Sequence, residues 1–412
     1  MTVTTPRPVR PHVVVVGAGF AGLAATRELA RAGARVSLVD ANPYTTFQPL
    51  LYQVATAGLG PGDVAFPTRT FAARYRRVRT RRAALSKVRA DERRVELDDG
   101  TSLHYDYLVL ASGVTTNWLG IDGAEENALP IYSVHDAVAL RKRLQRRLEE
   151  AAVGKRDSVH VVVVGGGPTG VEMAGTLAEL RRRTIPLTHP ELSAKQSSVT
   201  LVERFDYVLA PYKPGLRDEA ARALRKRGVH LRLGSTVAEV RPDAVILADG
   251  TRLPSDVTVW ALGVTAPEAV ANWGLPQGGG GRIAVTRALN VEGHPEVFVA
   301  GDLAGPPDAP PQLAQPAIQM GAHVGRQIIA AARGREVVPF EYRDPGIMAT
   351  VGRAEAVLQL PNGWTVHGLP AWLAWIGLHV AYLLGGRNRI NVLTGFLWRY
   401  LGPRRGAASV IE

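Results

Sequence analysis

The sequence predicts an α/β fold with two parallel-sheet units and a C-terminal α-helical region. Two observations carry the first part. Val13–Val16 and Val161–Val164 are unbroken β-branched runs, and each leads into a glycine turn, Gly17–Gly22 and Gly165–Gly170. A β-branched run without polar alternation reads as a strand covered on both faces, as in parallel sheets. The third observation concerns the tail: Trp364, Trp372, Trp375 and Trp398 all fall after residue 340 in a chain with only seven Trp.

Past the first turn, the spacing predicts a helix over Leu23–Arg31, ending at Gly33, and a strand over Val36–Val39 that ends at Asp40. Gly17, Gly19 and Gly22, with Phe20 and Ala21 between them, form G-x-G-x-x-G in the right context. The first glycine permits the tight turn, the second lets backbone approach a pyrophosphate, and the third lets helix and strand pack closely. The helix N-terminus offers free N–H groups to an anion. Asp40, about 20 residues on, can accept from ribose hydroxyls. This is a Rossmann-like dinucleotide-binding unit.

The pattern repeats. Gly165, Gly167 and Gly170 recur with Pro168 and Thr169, followed by a predicted helix over Val171–Arg183 and a strand over Val199–Val202 ending at Glu203. Pro168 suits a first helical turn, where its missing N–H needs no partner. Glu203 would accept from a ribose 2′-hydroxyl and repel a 2′-phosphate, favouring NADH over NADPH; Arg204 beside it keeps NADPH open. Glu172 lies in the first turn of the helix, where it either complements the helix dipole or serves as a carboxylate near the nicotinamide or flavin. Leu262-Gly263-Val264 follows the buried run Val257–Ala261, and Gly263 could close against the nicotinamide half.

Other elements fill in the two units. Hairpins are predicted around Asp99-Gly100 and Asp249-Gly250, strands over Tyr107–Ala111 and Val297–Ala300, and a helix over Pro316–Ala332 stopped by Gly334. The expected domains are 1–125 with 280–338, 126–279, and 339–412.

Composition excludes several classes. There is no cysteine, so no disulfide framework, thiolate metal site or catalytic thiol exists, and no residue pattern calls for a metal. The net charge of +12 comes mainly from arginine, a bias read as compositional rather than as a nucleic-acid footprint. Met1–Pro11 has no apolar core like that of a signal peptide. No apolar run reaches the roughly 18–20 residues that span a bilayer, so a peripheral place on the cytoplasmic face of the plasma membrane is expected.

Several stretches then carry a resemblance. Val297–Ala300 ends in Gly301-Asp302, which resembles the second FAD fingerprint of two-dinucleotide flavoproteins, whose Asp holds the ribityl chain. Phe47-Gln48-Pro49-Leu50-Leu51-Tyr52-Gln53, Gly166-Gly167-Pro168-Thr169-Gly170-Val171-Glu172, Ala314-Gln315-Pro316-Ala317-Ile318-Gln319-Met320-Gly321 and Met348–Ala354 together resemble type II NADH:quinone oxidoreductase over nearly the whole chain. Ala111-Ser112-Gly113 departs from the family's Ala-Thr-Gly but keeps the hydroxyl. The resemblance implies FAD on the first unit and NADH on the second. FAD contacts would come from Gly17, Gly19, Phe20, Ala21, Gly22, Asp40, Ala111, Gly113, Gly301, Asp302 and Gln315. It further implies a quinone bordered by Pro49, Leu50, Gln315 and Gln319, with Glu172 as the best candidate proton donor, and a homodimer. Gln315 and Gln319 are i and i+4, on one helical face. The missing cysteines exclude disulfide reductases and sulfide:quinone reductase.

Trp372–Gly385 is apolar but only 14 residues long, and Arg387, Arg389, Arg399, Arg404 and Arg405 follow. Apolar aromatic surface beside arginines suits the boundary of an anionic leaflet; a dimer interface or docking helix is the other reading. Two alternatives to the quinone reductase stay open, a soluble NAD(P)H-dependent flavoprotein reductase for another acceptor and a non-catalytic redox sensor.

Overall fold

The computed structural model describes residues 10–155, 158–190, 192 and 197–401. Arg404 and Arg405 lie outside the described residues, as do the side chains of Trp398 and Arg399. The chain divides into two compact units. The first comprises Met1–Thr45, Phe66–Thr115 and Val264–Asp344; the second comprises Thr46–Ala65, Thr116–Gly263 and Pro345–Glu412. The tail from residue 345 and the short Thr46–Ala65 segment thus both belong to the second unit.

The first unit is built on a six-stranded sheet. Its order is Asn290–Val291, His294–Val299, Tyr107–Leu110, His12–Val16, Arg35–Asp40 and Val78–Arg82. All neighbours are parallel except the first pair. Val13, Val14 and Val15 have no exposed surface, which explains their lack of polar alternation; burial of each contributes roughly 1.5–3 kcal/mol. Gly17, Asp40 and Gly301 all lie at the C-terminal edge of these strands, where ligands of open parallel sheets bind.

The second unit repeats the design. Ala128–Pro130, Val257–Trp260, His160–Val164, Ser198–Val202 and Val229–Arg232 form a wholly parallel five-stranded sheet. The tail adds an antiparallel sheet of Ile347–Gly352, Glu355–Gln359 and Thr365–His367, followed by helices Gly368–Tyr382 and Gly386–Leu401. No helix among the described residues is long and apolar enough to cross a membrane. The hairpins at Asp99-Gly100 and Asp249-Gly250 form as expected.

Three helices start earlier than the sequence predicts. They begin at Phe20, Pro168 and Ala314 rather than at Leu23, Val171 and Pro316. The cause is the same for the first two. The third glycine of each turn already lies inside the helix, packed back on the first: a Cβ on Gly22 would stand 1.8 Å from the Gly17 carbonyl oxygen, and one on Gly170 would stand 1.9 Å from that of Gly165. The second of these helices also ends sooner, at Glu179, and continues as a π turn over Leu180–Thr184.

Candidate functional site

Each unit carries a phosphate cradle of the same construction. Gly17 has φ of +101°, and a Cβ there would lie 2.2 Å from the Ala111 carbonyl oxygen. Gly165 has φ of +112° and would meet the Ala261 carbonyl oxygen at 2.5 Å. These positions demand glycine on both counts. Gly19 and Gly167 differ: nothing lies within 4 Å of a Cβ at either. The fold therefore does not need glycine there, and the open space is what a closely approaching pyrophosphate requires. Both are N-caps, and as glycines they have no side chain to cap the helix, so the first-turn N–H groups remain for an anion.

An acid closes each cradle. Asp40 accepts from the backbone N–H of Ala18 at 2.6 Å and of Asn42 at 2.7 Å; burial raises its pKa against the pull of those donors. Glu203 accepts from Gly166 at 2.6 Å and Phe205 at 3.0 Å. Gly166 is thus part of the second cradle, although its position in the motif gives it no assigned role. Thr169 and Gly263 are exposed, and nothing lies within 4 Å of a Cβ on Gly263.

In the first unit, Gly301 has φ of +75°, and its Cβ would touch the Cβ of Ala21 at 3.0 Å and that of Ala317 at 3.6 Å. Asp302 follows on a short 3-10 turn. Burial pushes its carboxyl up to about 6, with Arg282 pulling the other way. Its backbone carbonyl accepts from the Gln312 side chain at 3.1 Å, while its carboxylate has no hydrogen bond among the described residues. The Ala314–Ala331 helix presses on Phe20–Arg31 through two glycines: a Cβ on Gly321 would stand 2.0 Å from the Ala21 carbonyl oxygen, and one on Gly325 would stand 2.8 Å from the Glu28 Cβ.

The two glutamines differ in engagement. The Gln319 amide donates to the Arg343 carbonyl at 2.9 Å and accepts from the Arg343 N–H at 3.1 Å. His323 and Gln327 continue the row, bonding the carbonyl and N–H of Val338 at 3.0 and 2.9 Å. This face of the helix holds the extended 338–343 segment. Gln315, one turn earlier and half-buried, makes no protein hydrogen bond among the described residues.

In the second unit, Glu172 is the fifth residue of the Pro168–Glu179 helix; because the helix starts at Pro168 and not at Val171, Glu172 lies one turn deeper than the sequence predicts, past the first turn. Gly175, on the same face, lets the Ile347–Gly352 strand come so close that a Cβ would lie 2.3 Å from the Val351 carbonyl oxygen. This brings the Thr350 N–H to 3.4 Å from Glu172 Oε1. Burial pushes the Glu172 carboxyl up to about 8, opposed by the Thr350 N–H and the Trp375 indole N–H. Trp375 stacks on His379, with ring centroids 4.0 Å apart, and His379 stands edge-on to Phe47 at 6.1 Å. Burial drives the His379 imidazole down to about 4. Leu50 is fully buried and Pro49 half-buried, and the Leu51–Ala55 helix packs on that bearing Glu172. The sequence signals Glu172, Pro49 and Leu50; it gives no reason to bring Thr350, Trp375 and His379 to them.

Two acid-closed cradles on two parallel sheets define a protein of the class that binds two dinucleotides, and the pyridine nucleotide-disulphide oxidoreductase family matches residues 11–321. The chain is similar to the type II NADH:quinone oxidoreductase Ndh of Mycobacterium tuberculosis, with 35% identity over 99% of this chain and 92% of that protein. It is also similar to the mitochondrial internal alternative NAD(P)H-ubiquinone oxidoreductase A1 of Arabidopsis thaliana, with 31% identity over 94% of this chain and 84% of that one. Among solved structures, NDH2 from Plasmodium falciparum in complex with NADH shares the fold, with a TM-score of 0.89 at 17% identity, covering 97% of this chain and 100% of that one. The chain belongs to the type II NADH:quinone oxidoreductases, within the pyridine nucleotide-disulphide oxidoreductase family.

Proposed function

We propose that the chain is an NADH:quinone oxidoreductase that holds FAD on its first unit, takes NADH on its second, and delivers two electrons to a membrane quinone. The observation that carries this reading is the doubled cradle, open only at Gly19 and Gly167 and closed by Asp40 and Glu203. FAD, when bound, supplies the two-electron store that accepts hydride and gives electrons onward.

The chain's own residues bind, orient and hold protons. Gly17, Gly19, Phe20, Ala21 and Gly22 would seat the FAD pyrophosphate, Asp40 its ribose, and Asp302 its ribityl hydroxyls, the group that would relieve an unbonded, half-buried carboxylate. Ala111, Gly113 and Gly301 would line the same site. Gly165, Gly167, Pro168, Thr169, Gly170 and Gly263 would receive NADH, with Glu203 on its 2′-hydroxyl. Gln315 keeps a free amide for flavin or quinone, whereas Gln319 acts by holding the 338–343 segment. Glu172 is mostly protonated at neutral pH, because its carboxyl titrates at about 8, and can hand a proton to a quinone oxygen.

The tail supports a membrane-surface position. Leu369, Leu373, Leu378, Tyr382, Ile390, Leu393 and Leu397 are exposed large apolar residues, and Arg387 and Arg389 are exposed beside them. Apolar side chains next to arginines suit the headgroup boundary of an anionic leaflet. A peripheral place on the cytoplasmic face and a homodimer belong to the same reading.

Anaerobic titration of the purified protein with NADH, followed by a short-chain quinone, tests the function. The flavin band is expected to bleach with NADH and recover with quinone. Bleaching without recovery would remove the quinone from the assignment, and absence of a flavin band would remove FAD.

A further inference from the structure

The indole N–H of Trp375, on a side chain that is 1% exposed, is a buried donor that closes no regular hydrogen bond, although it acts on the Glu172 carboxyl. Buried donors are nearly always bonded, so an orphan of this kind calls for a reason. The ring cannot turn to find a partner. His379 stacks on it with an interplanar angle of 24°, Tyr52 packs at 6.2 Å, and Phe396 stands edge-on at 6.3 Å.

The group within the reach of this N–H is the Glu172 carboxyl. Its other donor, the Thr350 N–H, is long at 3.4 Å. Two donors thus approach one carboxyl and neither is fully closed on it. A neutral carboxyl needs few donors; a carboxylate draws both in, and charge-assisted hydrogen bonds are shorter and stronger.

We propose that Trp375 is a positioning residue for Glu172, whose indole N–H closes onto the carboxylate left when Glu172 gives its proton to the quinone. The inference rests on the reading of Glu172 as the proton source. In that step the carboxyl O–H bond breaks and a quinone O–H bond forms, while the electrons originate from NADH. The indole stabilises the anionic product of proton loss, and so makes Glu172 a better acid than burial alone allows.

Among the described residues, no cation acts on Glu172. The groups acting on Glu172 are Thr350 from the Ile347–Gly352 strand, Trp375 from the Gly368–Tyr382 helix, and the Tyr212 phenol, whose own ionisation Glu172 opposes. His379 stays neutral: its Nδ1 donates to the Trp375 carbonyl at 2.7 Å, and burial holds its pKa at about 4.

The test uses the FAD-loaded enzyme and its Trp375→Phe variant. The carboxylic C=O infrared band that disappears in Glu172→Gln reports the titration directly. Its midpoint is expected to rise by about one unit in Trp375→Phe, a tenfold weaker acid. The alkaline limb of the kcat profile for quinone reduction should move up with it. Trp372→Phe, on the same helix and also buried, should leave the midpoint in place. An unchanged midpoint in Trp375→Phe, or an equal rise in both variants, would overturn the proposal.

If Trp375→Phe does not fold, the wild-type Trp375 indole N–H resonance decides. It is expected to shift with the midpoint of Glu172 and to lose that shift in Glu172→Gln; insensitivity to pH would overturn the pairing. A midpoint that moves while the kcat profile stays fixed upholds the Trp375–Glu172 pairing and removes Glu172 as proton source, so the two readings fail separately.

Discussion

The backbone N–H of Gly166 donates a 2.6 Å hydrogen bond to Oε2 of Glu203. Ala18 and Asp40 stand in the same relation in the first unit, also at 2.6 Å. In both, the residue between the first two glycines orients the acid proposed to receive the ribose, so turn and acid are one construction.

Gly166→Ala disturbs it directly, since the new methyl would lie 2.9 Å from the Cγ and Oε2 of Glu203. The side chain can move, so the protein should fold, but the carboxylate is displaced. KM for NADH is expected to rise about tenfold, roughly 1.4 kcal/mol, with KM for quinone unchanged. Glu203→Ala should narrow the NADH:NADPH ratio of kcat/KM by removing the charge that repels a 2′-phosphate. Equal discrimination in Glu203→Ala and wild type would refute the specificity role.

Gly17→Ala and Gly19→Ala separate folding from binding. The first forces a methyl against the Ala111 carbonyl at a positive φ and should cost several kcal/mol, read as a collapse of Tm or of soluble yield. The second meets no protein atom, so the stripped protein should unfold within a few degrees of wild type yet retain little flavin. Full flavin content in Gly19→Ala would show that the pyrophosphate does not approach there.

Asp302 gives a pH dependence with a definite sign. Folding raises its carboxyl from 3.8 to about 6, so the folded state binds that proton more tightly than the unfolded chain. The stability contribution is fully present below the unfolded value and disappears as pH rises through about 6. The Tm of flavin-stripped protein should fall across this window, and Asp302→Asn should flatten the fall. A slope identical in Asp302→Asn would assign it to another group.

Gln315→Ala and Gln319→Ala should diverge. Gln319→Ala leaves both the carbonyl and the N–H of Arg343 without their partner, and is expected to lower stability by about 1–2 kcal/mol and to raise protease susceptibility of the 338–343 segment. Gln315→Ala should leave Tm near wild type and weaken quinone reduction. Matching Tm values for both would remove the distinction.

Much of this was legible in the sequence because it is local. The glycine turns, the valine strands and the acids at their ends lie within about forty residues of one another, where spacing dictates geometry. The surroundings of Glu172 were not legible. Thr350 is 178 positions away, and helical periodicity tells which face of a segment is apolar but not what will cover it. Gln319 shows the same limit, because Arg343 sits in an extended segment with no periodic signature. The early helix starts were missed because a glycine that ends a turn and one that begins a helix look alike until the clash at Gly17 or Gly165 is known.

The contact at Gly321 and Gly325 has a mechanical consequence. At Gly321 backbone meets backbone with no side chain between, and at Gly325 the approach is to the Glu28 Cβ and the Ala25 carbonyl, neither of which can yield, so the Phe20–Arg31 and Ala314–Ala331 helices behave as one stiff lever. The amide of Gln315 cannot be repositioned without carrying the Gly19–Gly22 turn along with it. Whatever fits that end of the helix is therefore selected by a shape fixed at folding, not by adjustment on arrival, and bulkier residues at 321 or 325 would alter turnover from well outside the site itself.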